Sequence, residues 1–224
     1  MVVLAAVLGS IFLVIALRFV PPPTTAFMAA RWIEAKRRAE PGFRIDYRWQ
    51  PLARISPQLS LAVIAAEDQT FPQHQGFDFA SIESVLRARA VGGRGRGAST
   101  ITQQVAKNLF LWSGRSWLRK GLEAWFTVLI ETLWPKSRIL EVYVNIAEFG
   151  NGIYGAEAAA QRFLGRPASA LTVADAARMA AVLPNPRIFR VESPSRYMRD
   201  RARWIERQMV QLGPAHLDPV LAGQ

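Results

Sequence analysis

Ser56-Pro-Gln-Leu-Ser-Leu-Ala-Val-Ile-Ala-Ala-Glu-Asp68 is the stretch that decides the fold. Ser56 followed by Pro57 reads as a helix N-cap with proline in the first turn. From Leu59 to Ala66 every residue but Ser60 is apolar, so the helix predicted here has no polar face and must be buried. Such a helix is a core element, and because nearly everything after it has helical period the body reads as mainly α. Its last turn carries Glu67 and then Asp68. Burial strips water from Glu67, and the negative end of the helix dipole opposes its charge. Both effects raise its proton affinity toward the range of a general acid or base. A buried ion pair with an arginine is the structural alternative.

Outward from this helix, the periodicity stays helical in nearly every direction. Thr25–Ala39 reads as a short amphipathic helix with Phe27, Ala30 and Ile33 on one side. Phe43, Ile45, Tyr47 and Trp49 alternate with polar residues and predict a short strand. Ile82–Ala90 is a helix stopped by Gly92-Gly93, before the basic loop Gly93-Arg-Gly-Arg-Gly97. Thr100 and Gln103 form a capping-box pattern opening a helix to about Trp112. Leu118, Leu122, Trp125, Phe126, Leu129, Ile130 and Leu133 mark a long helical stripe. Pro135 restarts the chain into Ser137–Phe149, closed by Gly150. Tyr154–Leu164 is closed by Gly165, and Thr172–Leu183 is stopped by Pro184 and Pro186. The last helix opens at Ser193-Pro194 and ends at Gly213-Pro214.

The 224 residues carry 28 Lys and Arg against 17 Asp and Glu, a net charge of +11. Between Ser84 and Leu122 lie Arg87, Arg89, Arg94, Arg96, Lys107, Arg115, Arg119 and Lys120, and no acid. Such a block predicts a polyanionic partner: nucleic acid, anionic lipid or a phosphorylated substrate. The absence of Cys excludes a disulfide scaffold, a thiol nucleophile and cysteine-ligated zinc or iron–sulfur sites. His74 and His216 lack metal-ligand spacing. Met1–Leu17 is uncharged and is followed by Arg18, Phe19, Val20 and Pro21-Pro22-Pro23. It reads as a single-pass anchor over residues 1–20, with Arg18 snorkelling. A juxtamembrane linker over 21–50 and a catalytic domain over 51–224 follow. The basic residues after the anchor, Arg31, Lys36, Arg37 and Arg38, would by themselves place the body in the cytoplasm.

Ser99, Thr100 and Thr102 stand at a helix start, where free N–H groups attract an anion. Along that helix Gln103, Gln104, Lys107 and Asn108 form a polar stripe opposite Ile101, Val105 and Leu109. The Gly93–Ala98 glycine spacing follows a helix, not a strand, and so fails as a dinucleotide fingerprint. Glu123 follows Arg119 and Lys120 at helical spacing, either as a surface ion pair or as an acid set among phosphate-binding cations. His74 is read as holding its turn. Two carboxylates suggest glycosidic chemistry, and the cradle suggests a phosphorylated leaving group.

Glu67-Asp-Gln-Thr-Phe-Pro-Gln-His-Gln-Gly-Phe-Asp78 resembles the first motif of the family-51 glycosyltransferases. Gly97-Ala-Ser-Thr-Ile-Thr-Gln-Gln-Val-Ala-Lys-Asn108 resembles the second, with Ala98 where Gly is common. Arg119-Lys-Gly-Leu-Glu123 resembles the third, and Ile139-Leu-Glu-Val-Tyr-Val-Asn145 the fourth, with Val144 where Leu is usual. No penicillin-binding transpeptidase domain follows. The resemblance implies a lysozyme-like α domain with a small membrane-contacting jaw. It implies polymerisation of lipid II with inversion at the anomeric carbon, and release of undecaprenyl diphosphate. Glu67 would be the general base. Glu123 would assist at the donor diphosphate, directly or through a divalent cation, Mg2+ or Mn2+; no organic cofactor is implied. Lys107, Arg115 and Arg119, with Lys120, would balance the leaving group's charge. Asp68, Phe71, His74, Thr102, Gln103, Gln104 and Asn108 would complete the substrate site. The implied partners are lipid II, the growing strand, the bilayer and other cell-wall synthesis or division proteins, with no nucleic acid. The implied location is the cytoplasmic (inner) membrane, with the catalytic domain on its outer face. A lysozyme-like lytic enzyme and a non-enzymatic basic polyanion binder stand as alternatives.

Overall fold

The computed structural model describes residues 1–90, 92–93, 99–114 and 116–222. Its elements run α1 (Val2–Phe19), α2 (Ala26–Arg37), β1 (Asp46–Tyr47), α3 (Pro57–Glu67), α4 (Phe79–Ala90), α5 (Ile101–Phe110) and α6 (Trp117–Leu133). Then come α7 (Lys136–Ile146), β2 (Glu148–Gly150), β3 (Ile153–Tyr154), α8 (Ala156–Leu164), α9 (Val173–Val182), α10 (Arg196–Leu212) and α11 (Asp218–Leu221).

The apolar helix α3 is the centre. Ser56 caps it through the N–H of Gln58, and Leu59 through Ala65 are all buried. It packs mainly on α9 and α10 and also touches α7. Alanines 176, 177, 180 and 181 of α9 are buried and let the helices approach closely. A second layer places α5 between α6 and α7, with Ile101, Val105, Ala106 and Leu109 buried. Truncating a core side chain such as Leu59 or Ile64 to Ala would remove about 2–5 kcal/mol of stability.

Three expectations change on folding. The helix over 137–149 ends at Ile146, because Gly152 and Gly155 need positive φ (77° and 87°) and take the chain out of helix. Residues 148–150 and 153–154 instead pair antiparallel, and β3 pairs parallel with β1, giving the sheet order β1-β3-β2. A side chain at Gly152 would meet Arg44 O at 2.9 Å, so β1 and the hairpin can close only on glycine. The final helix is capped by Ser195, not Ser193, through the N–H of Met198.

Residues 21–50 are folded onto the body and are not a linker. α2 packs on α5, and buried Arg31 bonds Asn151 Oδ1 at 2.8 and 3.0 Å and pairs with Glu40. Tyr47 Oη donates to Pro22 O at 2.8 Å. Asn145, fully buried, accepts from Gln50 N–H and donates to Gln50 O, both at 2.8 Å. The contacts from this interval to Asn145 and Asn151 join residues about a hundred positions apart in the chain, which local reading cannot see.

α1 is long and apolar enough to cross a membrane, and most of it is exposed. Its second half lies along α6. Trp134 Nε1 donates to Val14 O at 2.8 Å, Trp125 Nε1 donates to Ser10 Oγ at 3.1 Å, and Arg18 donates to Leu133 O at 2.7 Å. Arg138 closes the junction by donating to Leu17 O and Val20 O, each at 2.8 Å. The anchor is thus joined to the body by hydrogen bonds as well as by chain connectivity.

Candidate active site

The site begins where α3 stops. Asp68, the C-cap, turns its carboxylate to the start of α5 and accepts the N–H of Ile101 at 2.9 Å. This bond sets the C-terminus of α3 against the N-terminus of α5. Gln104, three residues further along α5, then meets Glu67, and its Nε2 donates to Glu67 Oε2 at 3.0 Å. Tyr143 of α7 donates its hydroxyl to Gln104 Oε1 at 3.2 Å, which orients the amide so that its NH2 faces the acid. On the other oxygen, Arg201 Nη2 lies 3.6 Å from Glu67 Oε1.

Burial, first of all, pushes the Glu67 carboxyl up, and Asp68 adds to this. The Gln104 hydrogen bond and the charges of Arg201 and Lys107 work against it. The net direction is upward, as expected for a base kept from water. Glu67 keeps a 15 % exposed side chain, on the wall of a cleft of about 620 Å3 shared with Gln104, Arg201, Trp204 and Gln208.

Much of the predicted phosphate cradle serves the fold. The anion at the N-terminus of α5 is the protein's own Asp68. Thr100 and Gln103 satisfy each other as a capping box, and Gln103 is buried. Thr102 is fully buried and donates to Glu131, itself paired with Lys136. Thr100, Thr102 and Gln103 thus make hydrogen bonds within the fold, Gln103 through its Oε1 and its backbone N–H. Phe71 has no exposed surface and packs against His74 and Lys136. His74 accepts the N–H of Gly76 on Nδ1 at 3.0 Å, so its Nε2–H donates to Asp68, 2.9 Å from Oδ2. It holds the turn. Gly76 has a positive φ of 87°, and a side chain there would meet Thr127 and Glu131 of α6 within 2.8 Å. Its carbonyl accepts from Thr100 Oγ1 at 2.7 Å, tying the turn to α5.

Lys107 and Asn108 are different. Both are half-buried, and neither side chain has a hydrogen bond or ion pair with a described residue. Lys107 Nζ lies 5.7 Å from the Phe27 ring of α2. Burial pulls its pKa down, the charge of Glu123 pulls it back up, and Arg119 and Lys120 lower it further. Glu67 also acts on it. Lys107 therefore feels the charges of both acids.

Glu123 is 3 % exposed. Arg119 Nη1 reaches one oxygen at 2.8 Å and Lys120 Nζ the other. It does not line the cleft that Glu67 opens onto, and both acids act electrostatically on Lys107. A divalent cation does not fit Glu123 as arranged, since two cationic side chains take both oxygens. No cluster of three metal-ligating residues occurs among the described residues. Arg115 and the loop Arg94–Ala98 lie outside the described residues.

Arg201, Trp204 and Gln208 were not foreseen. They recur at helical spacing on α10, beside the buried stripe Met198, Ala202, Ile205 and Met209. That spacing was readable, but which neighbour the polar edge would face was not.

An apolar helix ending in a desolvated acid, a lysine without an ion pair among the described residues that feels its charge, and a second, cation-bound acid define a carboxylate-based glycosyl-transfer domain. The comparisons agree with this class. Residues 37–210 match the family described as transglycosylase. A biosynthetic peptidoglycan transglycosylase of Xanthomonas campestris pv. campestris (strain B100) is 55% identical over 210 residues, covering 93% of this chain and 85% of that protein. Proteins of the same name from Xanthomonas oryzae pv. oryzae and Xylella fastidiosa (strain M12) are each 53% identical. They cover 93% and 96% of this chain and 86% and 89% of their own lengths. The chain belongs to the transglycosylase family.

Proposed function

We propose that this chain is a membrane-anchored peptidoglycan glycosyltransferase that polymerises lipid II into glycan strands and releases undecaprenyl diphosphate. One observation carries the reading: Glu67 is an acid with raised proton affinity, held on a cleft wall by Gln104 beside the unpaired Lys107. Glu67 takes the proton of the acceptor's 4-hydroxyl. The acceptor oxygen bonds to the donor's anomeric carbon from the face opposite the diphosphate, the bond from that carbon to the diphosphate oxygen breaks, and the configuration inverts. Lys107 and Asn108 meet the departing diphosphate, and Arg115, Arg119 and Lys120 complete the positive field. Glu123 keeps Arg119 and Lys120 in place.

The catalytic body works on the outer face of the cytoplasmic membrane. Exposed Trp112, Trp117, Leu118, Trp125 and Val128 supply an apolar and aromatic surface near α1 that suits the bilayer interface. Holding the enzyme on the surface that carries its lipid substrate raises the local substrate concentration. Other cell-wall synthesis or division proteins are proposed as partners on the basis of the family alone.

The test is incubation of lipid II with the wild type and with Glu67→Gln, read as glycan strands on gels. Strands from the wild type and none from the variant are expected. Release of fragments from sacculi without strand synthesis would favour the lytic alternative.

A further inference from the structure

Glu67 is held from two sides, by Gln104 of α5 on Oε2 and by Arg201 of α10 on Oε1. On α10, Arg196, Arg199, Arg203 and Arg207 are exposed, whereas Arg201 turns inward with 22 % of its side chain accessible. Arg31 and Arg138, which brace the fold, spend their donors on hydrogen bonds, the first to Asn151 and the second to the Leu17 and Val20 carbonyls. Arg201 does not. Its guanidinium stands 3.6 Å from the carboxylate, a charge contact longer than a hydrogen bond. Its Nε is buried with no hydrogen-bond partner among the described residues. Trp204 and Gln208 continue its edge of the helix along the same cleft, and Gln208 accepts from Gln69 at 3.0 Å.

We propose that Arg201 is a positioning residue for the proton transfer, fixing the Glu67 carboxylate in place and in its anionic form until the acceptor hydroxyl arrives. The proposal rests on the assignment of Glu67 as the base. Gln104, with Tyr143 behind it, supplies direction without charge, and Arg201 supplies charge. The other charged groups that act on Glu67 are Lys107 from α5 and Asp68 beside it, and they oppose each other. The buried Tyr143 hydroxyl, from α7, is held neutral by desolvation. Lys107 is also committed to the leaving group, so its charge is partly spent once the diphosphate binds. Arg201 is then the cation left to keep Glu67 ionised.

The test is the pH dependence of kcat for lipid II polymerisation by the wild type, Arg201→Gln and Arg201→Lys, with Glu67→Gln measured in parallel. Arg201→Gln is expected to move the acidic limb upward by about one pH unit, since an opposite charge at this range lowers a carboxyl by roughly 1–3 units. Arg201→Lys is expected to restore most of the shift. A purely structural role would lower the melting temperature of both variants and leave the limb where it was. An unmoved limb in folded Arg201→Gln, with Glu67→Gln inactive, overturns the inference alone. Wild-type polymerisation by Glu67→Gln overturns the base assignment and the inference together. If Arg201→Gln does not fold, Arg201→Met, which also removes the charge, decides in its place: a limb left at the wild-type position in that variant overturns the inference, and one moved upward supports it.

Discussion

Glu67 and Glu123 are both acids kept from water, and their surroundings differ in kind. Glu67 ends a helix with no polar face, and the partner that donates to it within hydrogen-bond range is a neutral amide. Arg201 stays at 3.6 Å. Glu123 sits on α6 one turn after Arg119 and Lys120 and has a cation on each oxygen. Burial without matched charge leaves a group that can accept a proton. Burial with matched charge gives a structural anion that organises its cations. Lys107 has no hydrogen bond or ion pair among the described residues and so belongs to neither arrangement.

The strongest way to break this contrast is at Glu67. Glu67→Gln should lower polymerisation by about 10^2–10^4-fold, the usual contribution of a general base, while the fold survives. Because burial raises its pKa above the ordinary 4.5, its stabilising contribution is full below that pH and is lost as pH rises through the folded value. Thermal unfolding should therefore find Glu67→Gln at least as stable as the wild type at neutral pH, with the gap closing on acidification. A variant markedly less stable at pH 7 would place Glu67 in the same class as Glu123.

Glu123→Ala should do the reverse and reduce stability first. It leaves Arg119, 13 % exposed, beside Lys120 without an anion. About 3 kcal/mol is expected in urea unfolding, the low end for a broken buried pair because Lys120 is half exposed. Lys107→Ala should leave stability almost unchanged and slow turnover of lipid II by about 10^2-fold, the scale of losing one charge-stabilising donor. Equal rates for wild type and Lys107→Ala would remove the ammonium from the leaving-group site. The finest probe is Tyr143→Phe, which frees the Gln104 amide to turn its oxygen toward Glu67. The loss of one hydrogen bond, about 1 kcal/mol, corresponds to about fivefold in kcat, with KM unchanged.

The legible parts of the site were those written in local patterns. The Ser56-Pro57 cap, the uniformly apolar run behind it and the closing acid sit within one helix, so Glu67 and the direction of its pKa could be inferred together. The Thr100–Gln103 capping box was equally visible. What could not be read locally is that the first N–H of that helix is taken by Asp68, which lies 33 residues earlier. Arg201 escaped notice because it is one arginine among many on a basic helix, and its meaning depends on a neighbour far away in sequence.

Side-chain chemistry and helical periodicity, both local, sufficed to establish a mainly α body, an apolar anchor, two acids of interest and a cation-rich middle. Packing decided which backbone and side-chain donors meet within the fold, which cation has no ion pair among the described residues, that residues 21–50 join the body and that Arg201 faces Glu67. Those outcomes depend on contacts between distant segments, and only close packing of α3 on α9 and α10, and of α5 on α6 and α7, brings such segments within hydrogen-bonding or Coulomb range.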